Sequence, residues 1–522
     1  MSRAEKQSLL PSKTQRHNND QQPFLPRRTF STLPEVRQVG RVKNLSLFFA
    51  VLCIIDLFGV FPIMSLPGPI IQCGIYGIPL VLMFAIVQIY TATLLGRCWI
   101  IAERLDPSIV KKSRYPYAAI AEMTYGKYMS ILVTILLDLT IFGAGIPNLL
   151  VASENLQLLS QQVSDGKVNI SFCYLLIVIG FCLCPLMWLG SPKNIKNVAI
   201  ISVFTVSITA ILLWYCIGVV PMHRNRRRNE IIKTEFPTTR EILTAYGIMA
   251  FQFDIHPMLL TIQVDMQRKC QIGRAVCYGV IATLSMATIS AGLCAYKFGA
   301  RVPTNILDAL PKSGILYAVI LLVTIQLCLS SAVGTNALFQ HIESMLGVSR
   351  DFTAKRCIIR SFLIAIEVLI GELLPRFDVI MGLIGGTLTG PLIFILPPLF
   401  YSKMSKLERK RNFEVQQRII YERRPIYDDE IELSQDTFGR QFELPRSEDT
   451  VIIRTSFVWK MGRRIRRFLR ILYSDCLLSI LVLSLGLGAT ISSTYFNYFK
   501  IDEVVAGWSP CFANLSISIK GL

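Results

Sequence analysis

Apolar residues run through most of the chain in long blocks, neither alternating in twos nor confined to one helical face. A hydrocarbon layer about 30 Å thick takes roughly 20 consecutive apolar residues to cross as a helix. Eleven stretches reach or approach that length: 45–66, 75–98, 129–155, 172–190, 197–220, 242–264, 275–297, 314–340, 357–374, 378–401 and 471–495. Five regions, 75–96, 172–190, 197–220, 275–296 and 314–340, contain no charged residue. The least regular stretch is 357–374, which holds Arg360, Glu367 and Glu372. The pattern predicts an all-α polytopic membrane protein with eleven transmembrane helices. Residues 1–44 read as a disordered cytosolic tail, 45–401 as a ten-helix core and 402–470 as a solvated cytosolic linker with a helix or two. Residues 471–522 supply the eleventh helix and a lumenal or extracellular C-terminus.

Composition agrees. Of 522 residues, 52% are apolar and only 17% charged, where soluble domains carry about a quarter charged residues. Mean hydropathy is +0.48, which excludes a soluble enzyme, a disulfide scaffold and a disordered regulator. No phosphate-cradling loop, zinc motif or nucleophile elbow is present, so the sequence reads as a non-enzyme with no cofactor beyond a coupling ion.

The net charge of +19 would suggest a nucleic-acid partner in a soluble protein, but here Lys and Arg flank the apolar blocks. They read as topology signals and contacts to the lipid bilayer. With the N-terminus cytosolic, the loops 99–128, 191–196, 265–274, 341–356 and 402–470 face the cytosol and are basic. The loop 221–241, with Arg224, Arg226, Arg227 and Arg228, runs against the trend. The sequons at Asn169 and Asn514 then fall on the opposite side, where glycosylation occurs. No apolar leader is seen in 1–44. Glu5, Leu9 and Leu10 resemble an acidic dileucine sorting signal, which implies clathrin adaptors as partners and a lysosomal or endosomal membrane, with the plasma membrane as the alternative. Most of the fourteen cysteines sit in apolar blocks and read as small buried hydrophobes. One disulfide among Cys73, Cys173 and Cys511 stays open as a reading.

Two segments break the smooth pattern. In the first span, Gly59 and Pro62 are followed by Pro67 and Pro69; in the sixth, Phe253-Asp254-Ile255-His256-Pro257 interrupts the run. Proline lacks an amide hydrogen and clashes with the preceding turn, so each helix should unwind there. Bare backbone groups at membrane depth are tolerated only where they line a cavity or meet a ligand. The breaks open spans one to five and six to ten alike, the pattern of a five-plus-five inverted repeat around a midplane solute site, with the eleventh helix extra. Helix N-termini suit a carboxylate and carbonyl ends suit a cation, a match for a zwitterionic amino acid.

Ser65-Leu66-Pro67 with Gly74, and Phe253, His256, Thr261-Ile262-Gln263 and Asp265-Met266, resemble the signatures of the amino acid/auxin permease family of transmembrane amino acid transporters. The resemblance covers about 45–401 in span order and implies an ion-coupled symporter, driven by protons or sodium, that moves amino acids by alternating access. Val60 and Pro62 stand where the family usually carries two glycines, with Gly59 one step early. Pro62 cannot donate an amide, which leaves the backbone of Phe61, Ile63, Met64 and Ser65 as candidates for the solute, together with Gly59, Asn148, Phe253 and Asp254. Asp56, Asp254 and His256 are the candidates for proton or ion coupling, because an intramembrane ionisable group is costly to retain. Asp138 reads as a structural hydrogen-bonding group, and Glu367 and Glu372 as members of local pairs or an aqueous edge. The rival reading is an amino-acid-sensing membrane receptor with little or no transport.

Overall fold

The computed structural model describes residues 45–109, 115–167, 170–188, 195–220, 236–299, 302–303, 305–348, 352–422, 477–499 and 501. Every described element is helical. An isolated parallel bridge joins Leu45 to Met266. The helices are α1 (Leu47–Phe58), α2 (Phe61–Met64), α3 (Pro67–Gln72), α4 (Gly77–Leu105), α5 (Pro116–Tyr125), α6 (Lys127–Val163), α7 (Phe172–Trp188), α8 (Ile195–Val219) and α9 (Thr239–Gln252). They continue as α10 (His256–Asp265), α11 (Ile272–Phe298), α12 (Gly314–Gly334), α13 (Asn336–Met345), α14 (Ala354–Leu373), α15 (Phe377–Ile384), α16 (Leu396–Glu422) and α17 (Leu477–Phe499).

Among the described residues, seven helices are long and apolar enough to cross a membrane, or eight if the pair Leu47–Phe58 and Phe61–Gln72, bent by 55°, counts as one span. That is fewer than the eleven expected, and the shortfall has local causes. The fourth expected span, α7, has 17 residues. The sixth is divided into α9 and α10, of 14 and 10 residues. The ninth, α14, carries Lys355, Arg356, Arg360, Glu367 and Glu372. The helix of the tenth span also does not stop at 401. It runs on as α16 to Glu422, tied back to α4 by Arg411 Nη1, which donates to Arg104 O (2.7 Å) and Leu105 O (2.6 Å).

Local chemistry accounts for several boundaries. Thr238 and Glu241 form a reciprocal capping box at the start of α9, Thr238 N donating to Glu241 Oε2 at 2.9 Å. Gly59 closes α1 at φ 59°, a left-handed conformation that a side chain would strain. Between α15 and α16 the chain widens into two π turns, Gly385–Thr389 and Pro391–Ile395.

Close helix contacts are made through glycine, as packing in lipid favours. A Cβ on Gly385 would stand 1.8 Å from the Gly247 carbonyl oxygen, and one on Gly247 would stand 2.4 Å from the Gly382 oxygen. α9 and α15 therefore meet backbone to backbone. α1 packs on α11, α4 on α16, α6 on α12, and α7 on α14. The bundle turns large apolar side chains such as Phe181, Ile86, Phe204 and Leu485 outward. In water that would be an adhesive surface; against acyl chains it is the expected one.

Candidate functional site

The two breaks lie side by side. α1 ends at Phe58 and the chain turns through Gly59 and Val60 into α2; α9 ends at Gln252 and the chain turns through Phe253, Asp254 and Ile255 into α10. Phe58 stacks edge-on against Phe253 with ring centroids 5.7 Å apart, and Phe61 against Phe251 at 6.3 Å. Phe253 and Ile255 are completely buried, and Val60, Phe61, Ile63, Met64 and Ser65 are buried too. The space between the breaks is thus filled by aromatic side chains and closed to solvent.

The backbone groups freed at the breaks are largely answered within the protein. Ile63 N and Met64 N donate to Val60 O (3.1 and 3.3 Å), and Ser65 N donates to Phe61 O (2.8 Å). The amides of Ile63, Met64 and Ser65, three of the backbone candidates for the solute, are thus bonded within the turn, because Pro62 pulls the chain back into a helical conformation at once. Phe61, at the start of α2, keeps its amide at the break.

At the second break, the buried Gln88 of α4 donates its Nε2 to Phe253 O. Thr91, one turn further along α4, donates to Gln88 O (3.1 Å) and lies 3.2 Å from His256 Nε2. Once the hydroxyl proton goes to Gln88 O, His256 must donate from Nε2, and its buried Nδ1 is an acceptor with no partner among the described residues. Asp254 accepts from the His256 amide and from Thr389 Oγ1 (3.4 Å), while its buried Oδ1 has no partner among the described residues. The N-terminus of α10 is consequently occupied by the protein's own carboxylate.

The other expected site residues fall around this centre. Asn148 donates to Ser331 Oγ at 2.9 Å, joining α6 to α12, between Ile146 and Leu149 of the apolar cluster that includes Phe61 and Met64. Asp56, in the last turn of α1, is hydrogen-bonded by Ser202 of α8, whose hydroxyl is also approached by Gln326 Nε2 of α12. Gln326 Oε1 is buried without a partner among the described residues. Asp138 is a hydrogen-bonding hub: Tyr115 donates to its Oδ1 (2.9 Å) and His341 Nδ1 lies 2.7 Å from its Oδ2. Glu367 and Glu372 do not behave as expected, since both are buried, and Oε1 of the first and both oxygens of the second lack partners among the described residues.

Asn169, Asn514, Glu5, Leu9 and Leu10 lie outside the described residues. Cys173 is disulfide-bonded. No cluster of metal-ligating side chains occurs among the described residues. Sequence reasoning passed over Gln88 and Thr91. Two polar residues at i and i+3 in an otherwise apolar span were the available signal.

Comparison with known proteins follows the same line. The family model described as "Transmembrane amino acid transporter protein" matches residues 43–421. "Amino acid transporter AVT1J" of Arabidopsis thaliana is 22% identical over 361 residues, 67% of this chain and 81% of the relative. "Vacuolar amino acid transporter 3" of Schizosaccharomyces pombe is 26% identical over 166 residues, 30% of this chain and 25% of the relative. "Sodium-coupled neutral amino acid symporter 2" of Danio rerio is 26% identical over 206 residues, 37% and 40% of the two chains.

Proposed function

We propose, on the premise that this chain belongs to the transmembrane amino acid transporter family, that it is a secondary active transporter of amino acids or close zwitterionic relatives. The solute binds between the breaks at Gly59–Val60 and Phe253–Ile255, and two five-helix repeats rock about it in alternating access. The observation that carries this reading is the direct ring contact between the breaks, Phe58 with Phe253 and Phe61 with Phe251. Two helices interrupted side by side inside the bundle offer a ligand a place to meet unwound backbone.

The groups left over suggest the solute's orientation. Asp254 fills the N-terminus of α10, so its bare Oδ1 suits an ammonium, while the Phe61 amide at the start of α2 suits a carboxylate. In this reading Gly59, Ile63, Met64, Ser65, Asn148 and Phe253 shape the pocket. The filled space between the breaks corresponds to an occluded form, and a solute enters only as the phenyl rings of Phe61 and Phe251 part.

Coupling to a proton or sodium gradient is assigned to Asp56, Asp254 and His256. The oxygen-rich set of Asp56, Ser202 Oγ and the unpartnered Gln326 Oε1 supports a cation at the end of α1. The division into a tail, a ten-helix core over 45–401, a linker and an eleventh helix is retained as part of the proposal, with the linker's first turns continuing α16. An intracellular membrane is favoured by the dileucine-like motif and by the vacuolar relative. The oxidised Cys173 supports placing the start of α7 on the lumenal side.

Uptake of labelled amino acids into proteoliposomes, at two pH values with and without sodium, tests the proposal. Saturable uptake that depends on one of the two gradients is expected; solute-dependent thermal stabilisation without flux would contradict it.

A further inference from the structure

α14 buries a polar stripe: Arg360, Ile364, Glu367, Gly371 and Glu372 face the bundle together. At one end the charge is answered. Arg360 Nε lies 2.6 Å from Glu343 Oε1, its Nη1 donates to Met187 O, and its guanidinium covers the Phe339 ring at 5.1 Å. Two turns on, Glu367 is 3% exposed and its Oε1 has no partner among the described residues. An unpaired carboxylate in hydrocarbon is costly and is kept by default for a function.

The place it occupies is built for it. A Cβ added to Gly145 of α6 would stand 2.5 Å from Glu367 Oε1 and 2.8 Å from Oε2, so the carboxyl fills a notch that exists only because α6 carries a glycine there. Ile384 closes over Gly143, and Val368 packs onto Gly180 of α7. A buried carboxylate with no donor beside it bears the full cost of losing water, whereas the neutral acid bears far less. The notch therefore accepts the protonated group and rejects the charged one.

We propose that Glu367 is a proton-binding site, held neutral in the Gly145 notch while α14 rests on α6 and releasing its proton to water when the two helices separate. It would supply a coupling proton in addition to the groups at the breaks, and that part rests on the transport reading above. The titratable and charged groups on the elements packed against α14 are Lys127, Tyr128, Asp138 and Glu154 of α6, Tyr174, Cys182 and Cys184 of α7, and His341 and Glu343 of α13. On α14 itself they are Lys355, Arg356, Cys357, Arg360 and Glu372, and none of all these bonds Glu367 Oε1.

Infrared spectroscopy of the purified full-length chain in lipid nanodiscs tests the site without any need for flux. The wild-type spectrum at neutral pH should contain a carboxylic acid carbonyl band that is missing in Glu367→Gln, and Gly145→Ala should shift or abolish the same band. Wild-type and Glu367→Gln spectra that match in this region would overturn the proposal, as would an unchanged band in Gly145→Ala if the first variant does not fold. In proteoliposomes, Glu367→Gln should keep solute counterflow and lose accumulation driven by a pH gradient. Full gradient-driven accumulation by Glu367→Gln would overturn the coupling role. A wild-type chain that moves no amino acid would instead refute the transport reading, leaving the infrared result to decide the site.

Discussion

Gln88 shows how a single side chain stabilises an interrupted helix. Its amide caps the Phe253 carbonyl exposed by the second break, 165 residues away along the chain, and Thr91 links the same helix to His256. A buried carbonyl left without a donor costs about 1–3 kcal/mol. Gln88→Leu should therefore lower the thermal midpoint in detergent by an amount of that order. Gln88→Glu, an acceptor only when ionised, should lower it further. A Gln88→Leu chain as stable as wild type would mean that the Phe253 carbonyl is satisfied elsewhere. Asp254 follows the same logic in the opposite sense, since its Oδ1 is buried and unanswered within the protein. That asymmetry makes it the residue at which a bound ammonium would gain most.

At the scale of elements, glycines decide which helices can touch. Gly247→Ala would drive a methyl to 2.4 Å from the Gly382 carbonyl oxygen, and overpacking of this kind costs about 1–3 kcal/mol or more. Gly292 of α11, by contrast, has open space around it. Gly292→Ala should be neutral or stabilising by up to about 1 kcal/mol from helix propensity alone. Thermal unfolding of the two variants side by side checks the contrast, and equal midpoints would contradict it.

The breaks at Gly59–Pro62 and Phe253–Pro257 were readable in the sequence because proline and glycine carry their conformational demand in their own covalent structure. The π turns from Gly385 to Ile395 were not readable, since they depend on how closely α9 and α15 approach. Nor was the run of α16 to Glu422, because a polar helix docked on α4 looks like a linker until its partner is known. That the amides of Ile63, Met64 and Ser65 bond within the turn was not readable for a related reason: a proline that ends one helix also starts the next. Glu367 was expected to form a local pair or face an aqueous edge, and it does neither: it is buried against the glycine notch of α6, which no feature of its own span announced.

For the whole molecule, the helices, their outward apolar side chains and the family match describe a multi-pass membrane protein of the transmembrane amino acid transporter family. The proposed orientation makes a prediction about its two sides. Cys270 is exposed in the segment between α10 and α11, on the cytosolic side of the proposed topology, and Cys173 is oxidised at the other side. An impermeant maleimide should label Cys270 in vesicles that expose their cytosolic face, with Cys270→Ser as control, and should reach Cys173 from the opposite face only after reduction. Labelling of Cys270 from the lumenal face would reverse the topology.

In the proposed mechanism the two interrupted helices form one solute site that opens to either side in turn. Counterflow of labelled neutral amino acids in proteoliposomes, compared between wild type and Asp254→Asn, addresses it directly. Wild type should exchange solute saturably, and the Asn variant should lose that exchange while keeping its thermal midpoint. Wild-type rates in the Asn variant, or a folded wild-type chain that binds amino acid and never exchanges it, would contradict the account.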